Sequence, residues 1–125
     1  MGRKVLLVED DFYIRDMYRM VMETHDHKVV TATDGKAALQ IFVQEQPEIV
    51  YLDIMLPELN GIEVLKAIRA QQPPLCAVPV IMLTNLDSDE SIKQCMMNGA
   101  TAYLIKAQQN PMTVVAEMDK FFVKK

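Results

Sequence analysis

The sequence predicts an α/β domain in which helices cover both faces of a five-stranded parallel sheet. Short apolar segments rich in β-branched residues alternate five times with longer amphipathic segments, which is the pattern of repeated strand–helix units. The short segments are apolar throughout, as expected for parallel strands that are buried on both faces. A length of 125 residues fits one domain, and we expect that domain to cover residues 1–125.

These segments place the elements in order along the chain. The predicted strands are residues 5–8, 29–33, 49–52, 78–83 and 102–105. The predicted helices are residues 12–24, 36–46, 61–72, 89–98 and 112–123. Right-handed crossovers leave few topologies for such a chain. We expect the doubly wound strand order 2-1-3-4-5, with the sheet as the middle layer of a three-layer sandwich.

Turn and cap residues set the predicted helix ends. Pro47 stops the second helix and Pro73-Pro74 stops the third, because proline cannot continue helical hydrogen bonding. Gly99 suits the left-handed position after the fourth helix. Asn110-Pro111 supplies an N-cap followed by proline in the first turn of the last helix.

Composition and charge argue against several classes of function. The chain carries 17 acidic and 13 basic residues, a net charge of −4, and its basic cluster is the terminal pair Lys124 and Lys125. This balance argues against a nucleic-acid surface and against a polybasic membrane anchor. No signal-peptide pattern and no apolar stretch of about 18 residues is visible, so we expect a cytoplasmic protein. The ten methionines occur at core-like helical spacings, and we expect them to fill gaps in the core.

Residues with reactive side chains follow four of the five predicted strands. Glu9-Asp10-Asp11 follows the first strand, Asp53 the third, Thr84 the fourth and Lys106 the fifth. In a doubly wound sheet, ligands bind outside the carboxyl ends of the strands, where the strand order reverses. We therefore expect these acidic groups, a hydroxyl and an ammonium at one edge of the sheet.

Clustered carboxylates need a positive charge. They repel one another unless a pKa rises or a cation joins them. A divalent ion with a preference for oxygen ligands meets this need, and Mg²⁺ commonly uses one or two carboxylates together with water and phosphate oxygens. Considered alone, Lys106 could equally be a plain salt-bridge partner.

Four segments with these residues match a known family. The chain resembles the receiver domains of two-component response regulators, of the chemotaxis single-domain type, from about residue 4 to residue 123. The matching segments are residues 5–11, 51–61, 82–84 and 102–106. The resemblance implies a flavodoxin-like fold and a phosphoacceptor in a two-component phosphorelay.

The resemblance also implies a metal site. Asp53 would be the phosphorylated nucleophile. Asp10 would bind Mg²⁺ directly, Glu9 through a water, and the carbonyl oxygen of Met55 would be a further ligand. We favour Glu9-Asp10 over Asp11 as the acidic pair, because it directly follows the first strand.

The remaining implied roles concern phosphoryl transfer and switching. Lys106 and Thr84 would each bind a phosphoryl oxygen, and Thr84 and Tyr103 would form the switch. A histidine kinase or phosphotransfer protein would donate the phosphate. A downstream effector would bind the face made by the fourth helix, fifth strand and fifth helix, which is also the candidate homodimer surface. The chain would catalyse only its own phosphorylation and dephosphorylation.

The chain departs from the family pattern after two of these residues. Ala107 follows Lys106 where the family usually has a cis proline, and we expect a trans peptide or a reshaped loop because a cis bond before a non-proline residue is costly. Asn85 follows Thr84 where a small residue is common. Met55 and Leu86 are apolar and border the path of the hydrolytic water in the family, which predicts a long-lived phosphate.

Three alternatives are weighed against this interpretation. A flavodoxin-like cofactor protein would need a phosphate-cradling loop after the first strand, where this chain has Glu9-Asp10-Asp11. A degenerate receiver would act only as an interaction module, and the departures at Asn85 and Ala107 keep that alternative open. A haloacid-dehalogenase-like phosphatase would need a second aspartate at position 55, where this chain has methionine.

Overall fold

Five strands alternate with five helices in the computed structural model, which describes residues 2–122. The strands are β1 (Lys4–Val8), β2 (Lys28–Ala32), β3 (Ile49–Leu52), β4 (Val80–Thr84) and β5 (Ala102–Ile105). The helices are α1 (Phe12–Thr24), α2 (Gly35–Glu45), α3 (Gly61–Arg69), α4 (Asp89–Met97) and α5 (Pro111–Ala116). Short 3₁₀ turns cover Leu75–Ala77, Lys106–Gln108 and Met118–Phe122.

The strands form one parallel sheet in the order β2-β1-β3-β4-β5. This confirms the predicted strand order. The chain runs from β1 outward to β2 and then returns to the other side of β1 with β3, so the order reverses between β1 and β3. Val8 pairs with Leu52 at that point, and the next residue of each strand is acidic: Glu9 and Asp53.

The sheet separates two hydrophobic cores. Successive residues of a strand point to opposite faces, and β3 shows this directly. Val50 and Leu52 belong to the core beneath α2, α3 and α4, whereas Ile49 and Tyr51 belong to the core beneath α1 and α5. All four side chains are fully buried, which explains why the strand is apolar throughout.

Some element ends differ from the prediction. The predicted third helix, 61–72, ends at Arg69, because residues close to Pro73-Pro74 are disfavoured in helical conformation. The predicted fourth strand, 78–83, is shifted to Val80–Thr84. Pro79 lacks the N–H that a central strand residue donates, and Thr84 pairs with Ile105 at the other end.

The last helix is shorter than predicted. Residues 112–123 were expected to be one helix, but α5 ends at Ala116 and a 3₁₀ turn follows over Met118–Phe122; Val123 lies outside the described residues. Helix ends often tighten in this way, and here the Lys120 N–H donates to the Glu117 carbonyl oxygen. The turn still places Met118, only 1 % exposed, in the core under α1 and α5.

The prediction that methionines fill the core was wrong for most of them. Three are buried: Met22, Met82 and Met118. Six are largely exposed: Met17, Met20, Met55, Met96, Met97 and Met112. In α1 the buried face is formed by Tyr18 and Met22, and spacing alone did not distinguish that face from the exposed methionines. Within residues 2–122, no helix is long and apolar enough to cross a bilayer.

Gly61 holds α3 against the backbone of the residue that follows β3. A Cβ atom at this position would lie 2.1 Å from the Asp53 carbonyl oxygen and 2.7 Å from the Ile54 Cα. Both neighbours are main-chain atoms, so neither can move aside cheaply. The glycine therefore permits the close approach that fixes the backbone of Asp53.

We expect Gly61→Ala to lower the free energy of unfolding by about 1–3 kcal/mol, because the new methyl group displaces the backbone of Asp53 and Ile54. Urea unfolding followed by circular dichroism measures this loss. Lys66→Ala, at an exposed position of the same helix, is the control and should stay within about 0.5 kcal/mol of wild type. Equal stability of Gly61→Ala and wild type would contradict the argument.

Candidate functional site

A polar pocket opens at the carboxyl ends of the strands, beside the point where the strand order reverses. The residues that line it are Glu9, Asp10, Asp11, Ile14, Asp53, Met55, Thr84, Asn85, Leu86 and Lys106. Parallel strands bring their carboxyl ends to one edge of the sheet, which is why residues far apart in sequence meet here. Every residue predicted for catalysis or for the metal lies in this lining, and Tyr103 stands outside it.

A buried ion-pair triad forms the floor of the pocket. The Lys106 ammonium Nζ lies 2.8 Å from Glu9 Oε1 and 2.8 Å from Asp53 Oδ2. The side chains of Lys106, Glu9 and Asp53 are 10 %, 3 % and 5 % exposed. One ammonium therefore bridges two buried carboxylates that follow neighbouring strands.

Asp10 adds a third carboxylate to this triad. Glu9, Asp10 and Asp53 each offer an oxygen, and these three oxygens lie within 4.8 Å of one another. Asp10 is exposed, so the group opens to solvent on its side. Asp11 has a different use: its Oδ1 accepts a hydrogen bond from the Ile14 N–H, which makes it the N-cap of α1.

The charges of this group do not balance. Burial raises the pKa of Glu9, and the hydrogen bond from Lys106 only partly offsets that effect. Burial lowers the pKa of Lys106, but hydrogen bonds to Asp53 and Glu9 outweigh it and leave the pKa raised. Among the described residues, the Glu9–Asp10–Asp53 cluster holds three carboxylates against the single ammonium of Lys106. A hard divalent cation would supply the missing charge, and the oxygen donors present fit Mg²⁺.

Met55 lies beside the acidic group on the loop after β3. Its N–H donates to Asp53 Oδ1 over 3.3 Å, so the Asp53 carboxylate contacts both Lys106 and the loop. The Met55 side chain is 64 % exposed and lines the pocket. Position 55 therefore borders Asp53 with an apolar side chain that cannot orient a water molecule.

Thr84 and Tyr103 contact the same residue from two sides. Thr84 is completely buried at the end of β4, and its Oγ1 accepts from the Leu86 N–H over 3.3 Å. The Tyr103 hydroxyl donates to the Leu86 carbonyl oxygen over 2.8 Å, and burial raises its pKa to about 12. Any movement of the loop after β4 therefore involves both side chains.

The loop after β5 shows how the chain manages without proline at position 107. The cis peptide bond within residues 2–122 is Pro73–Pro74, and the Lys106–Ala107 bond is trans, as predicted. A 3₁₀ turn over Lys106–Gln108 carries the lysine, and its ammonium still reaches Asp53. The Ala107 N–H donates to Asn85 Oδ1 over 2.9 Å.

The hydrogen bond between Ala107 and Asn85 was not predicted from the sequence. Asn85 and Ala107 were noted as separate departures from the family pattern. The signal that could have connected them is their position, because each lies just beyond the end of one of two neighbouring strands. An alanine at 107 has the N–H that proline lacks, and an asparagine at 85 has an acceptor for it.

The comparison with known protein families identifies the family of this domain. The response regulator receiver domain family matches residues 5–117. The chain belongs to this family. The match covers both strand ends that carry the acidic residues and the strands that end at Thr84 and before Lys106.

Individual receivers support the assignment. The alkaline phosphatase synthesis transcriptional regulatory protein PhoP of Bacillus subtilis is 36% identical over 106 residues, which are 85% of this chain and 43% of PhoP. This chain thus spans less than half the length of the curated relatives that it matches.

Solved receiver structures overlay nearly the whole chain. The BeF₃-activated receiver domain of Klebsiella pneumoniae RstA has 30% identity and a TM-score of 0.86, covering 97% of this chain and 99% of that one. The Mn²⁺-bound form of the response regulator Rcp1 has 27% identity and a TM-score of 0.82, covering 99% of this chain and 96% of that one.

The buried carboxylate of Glu9 gives the receiver a pH-dependent stability. We expect Glu9→Gln to raise the free energy of unfolding at pH 7 in metal-free buffer, because the amide avoids the desolvation of a charge. Since burial raises the folded-state pKa of Glu9 above its ordinary value of 4.5, wild type regains this stability below that value and loses it as the pH rises through the raised pKa. The advantage of the variant should therefore shrink from pH 7 toward pH 4.5.

Urea unfolding at a series of pH values with a chelator present measures this difference. Glu63→Gln makes the same chemical change at an exposed glutamate of α3 and is the matched control, which should not share the gain in stability at pH 7 because no charge is removed from a buried position. A lower stability of Glu9→Gln than wild type at pH 7 would contradict the charge imbalance described above.

Proposed function

We propose that this receiver is a phosphoacceptor and that Asp53 takes a phosphoryl group from the phosphohistidine of a histidine kinase or phosphotransfer protein. The observation that carries the proposal is the Lys106 ammonium, 2.8 Å from the Asp53 carboxylate, at the floor of a pocket lined by three further acidic residues. Such an arrangement positions a nucleophile and supplies positive charge, which is most of what phosphoryl transfer requires.

The proposed transfer uses groups that the pocket already holds. An Asp53 carboxylate oxygen attacks phosphorus, an O–P bond forms, and the P–N bond to the donor imidazole breaks with the electron pair leaving on nitrogen. Lys106 turns from the carboxylates to a phosphoryl oxygen. Thr84 accepts from the Leu86 N–H through its oxygen, so its hydroxyl proton remains available to a second phosphoryl oxygen.

The residues proposed to hold Mg²⁺ are Glu9, Asp10 and Asp53, with the main-chain carbonyl of Met55. The carboxylate cluster and its excess negative charge support this assignment, as does the Mn²⁺ carried by the related Rcp1. When bound, the ion neutralises the charge of the phosphoryl oxygens and of the carboxylates. The protein contributes the fixed spacing of the carboxylates through the paired ends of β1 and β3.

The proposed output is a change in the face formed by α4, β5 and α5. Thr84 and Tyr103 are joined through Leu86, so engagement of Thr84 by phosphate shifts the arrangement that Tyr103 stabilises. Phosphorylation then changes the population of two packings. This face would bind an effector protein or domain, or a second copy of the chain, whether the receiver acts alone in the manner of chemotaxis receivers or within a longer protein.

We expect wild type to be labelled by a small phosphodonor in the presence of Mg²⁺, and Asp53→Asn to lose the label, because the amide is not a nucleophile for phosphorus. Radiolabel on the protein that hydroxylamine releases, as expected of an acyl phosphate, measures the reaction, with a chelator as the Mg²⁺-free arm. Asp26→Asn makes the same chemical change at the opposite edge of the sheet and should be labelled like wild type. Wild type without label would favour a degenerate receiver that acts only as an interaction module.

The apolar side chains of Met55 and Leu86 predict a long-lived phosphate. Neither can orient the attacking water, so we expect slow decay, with Met55→Asn shortening the lifetime because its amide can hold a water near Asp53. Loss of label from purified phosphoprotein at neutral pH with Mg²⁺ measures the half-life. Met20→Asn, at an exposed methionine of α1, is the control. A half-life of only seconds in wild type would refute the prediction.

A further inference from the structure

We propose that Asn85 is a positioning residue for Lys106, acting through its hydrogen bond with the main chain of Ala107. The Ala107 N–H donates to Asn85 Oδ1 over 2.9 Å. The inference rests on the proposed function, since it concerns the lysine that would bind the phosphoryl group.

The contact begins where the sheet ends. The pairing of β4 with β5 stops at Thr84 and Ile105. Asn85 and Lys106 are the next residues of the two strands, so the sheet no longer holds the backbone that carries the lysine. The Asn85 side chain crosses this gap and joins the two loops by one more hydrogen bond.

Hydrogen bonds to the loop after β4 lie both before and after Lys106 in the chain. Three residues before it, the Tyr103 hydroxyl donates to the Leu86 carbonyl oxygen. One residue after it, Ala107 donates to Asn85. Both acceptors lie on consecutive residues of the loop that follows Thr84, so β5 contacts this loop before Lys106 through a side chain and the turn contacts it after Lys106 through the main chain.

The hydrogen bond between Asn85 and Ala107 matters most once the Lys106 ammonium leaves the carboxylates for a phosphoryl oxygen. Glu9 and Asp53 hold the Lys106 side chain in the structure as it stands. During transfer the ammonium must turn to a phosphoryl oxygen, and a lysine side chain has several freely rotating bonds. Ala107 is exposed and has no side chain long enough to anchor the turn. A fixed backbone then limits the positions that the ammonium can sample, which raises the rate of a reaction that depends on placement.

Asparagine suits this position for two reasons. Its amide oxygen accepts the Ala107 N–H, which an aliphatic side chain cannot do. An aspartate would also accept it, but it would add another carboxylate to a pocket that already holds Glu9, Asp10 and Asp53. Asn85 therefore provides the acceptor without extra negative charge.

The first arm of the test needs no phosphorylation. We expect Asn85→Leu, which is similar in size but lacks the acceptor, to speed hydrogen exchange of the Ala107 amide about tenfold, as followed by NMR. Asn85→Asp keeps an acceptor and should retain slow exchange. Gln108→Ala, an exposed neighbour on the same turn, should leave the exchange rate unchanged. An unchanged exchange rate of the Ala107 amide in Asn85→Leu would overturn the proposal.

The second arm asks whether Asn85 acts through Lys106. We expect Asn85→Leu to slow labelling by a saturating small phosphodonor about three- to tenfold, the equivalent of one hydrogen bond. In a Lys106→Ala background, the same substitution should change the residual rate less than about twofold, since the residue it positions is gone. An equal loss in both backgrounds would overturn the proposal in favour of a general structural role. Wild type that takes no label would refute the proposed function, and the NMR arm would then decide the contact by itself.

Discussion

Three carboxylates and one ammonium confined at the carboxyl edge of the sheet set the main constraint on this receiver. Lys106 bridges Glu9 and Asp53 in the buried part of the group, and the exposed Asp10 extends the group to the surface. Taking these charges out of water is costly unless they are paired, and the pairing is incomplete. The imbalance favours a divalent cation in the pocket, and the ion pair keeps the Asp53 carboxylate next to the lysine.

The loops that follow β4 and β5 are linked to this charge group by hydrogen bonds rather than by sheet pairing. The Leu86 N–H donates to the Thr84 hydroxyl oxygen, and the Leu86 carbonyl oxygen accepts from the Tyr103 hydroxyl. The Asn85 side-chain oxygen accepts from the main-chain N–H of Ala107. Apart from the buried Thr84, the residues in these contacts are exposed or half-buried, and a single hydrogen bond contributes about 0.5–1.5 kcal/mol. The proposed phosphoryl group would have to outweigh only contacts of that size.

Much of the fold and of the pocket could be predicted from the sequence, because both follow from simple rules. Apolar strands buried on two faces gave the parallel sheet, and the strand-end rule brought Asp53, Thr84 and Lys106 together. The errors lie where several weak preferences compete. The end of α3, the tightened turn after Ala116 and the exposure of six methionines depend on packing that periodicity does not encode. The contact between Asn85 and Ala107 depends on how two loops run beyond the end of the sheet, which periodicity does not encode either.

The close approach of Gly61 to the Asp53 carbonyl makes the α3 side of the site more rigid than the side formed by the loops after β4 and β5. On the α3 side, the Asp53 carbonyl oxygen lies against Gly61 and the Asp53 N–H donates to the Val8 carbonyl oxygen. The main chain of Asp53 therefore has little room to move. On the other side, the segments after β4 and β5 are joined by side-chain hydrogen bonds at Leu86 and Asn85. If Asp53 carries a phosphate as proposed, the missing methyl group of Gly61 leaves the α3 side no room to move, and the strain would be released toward α4 and α5.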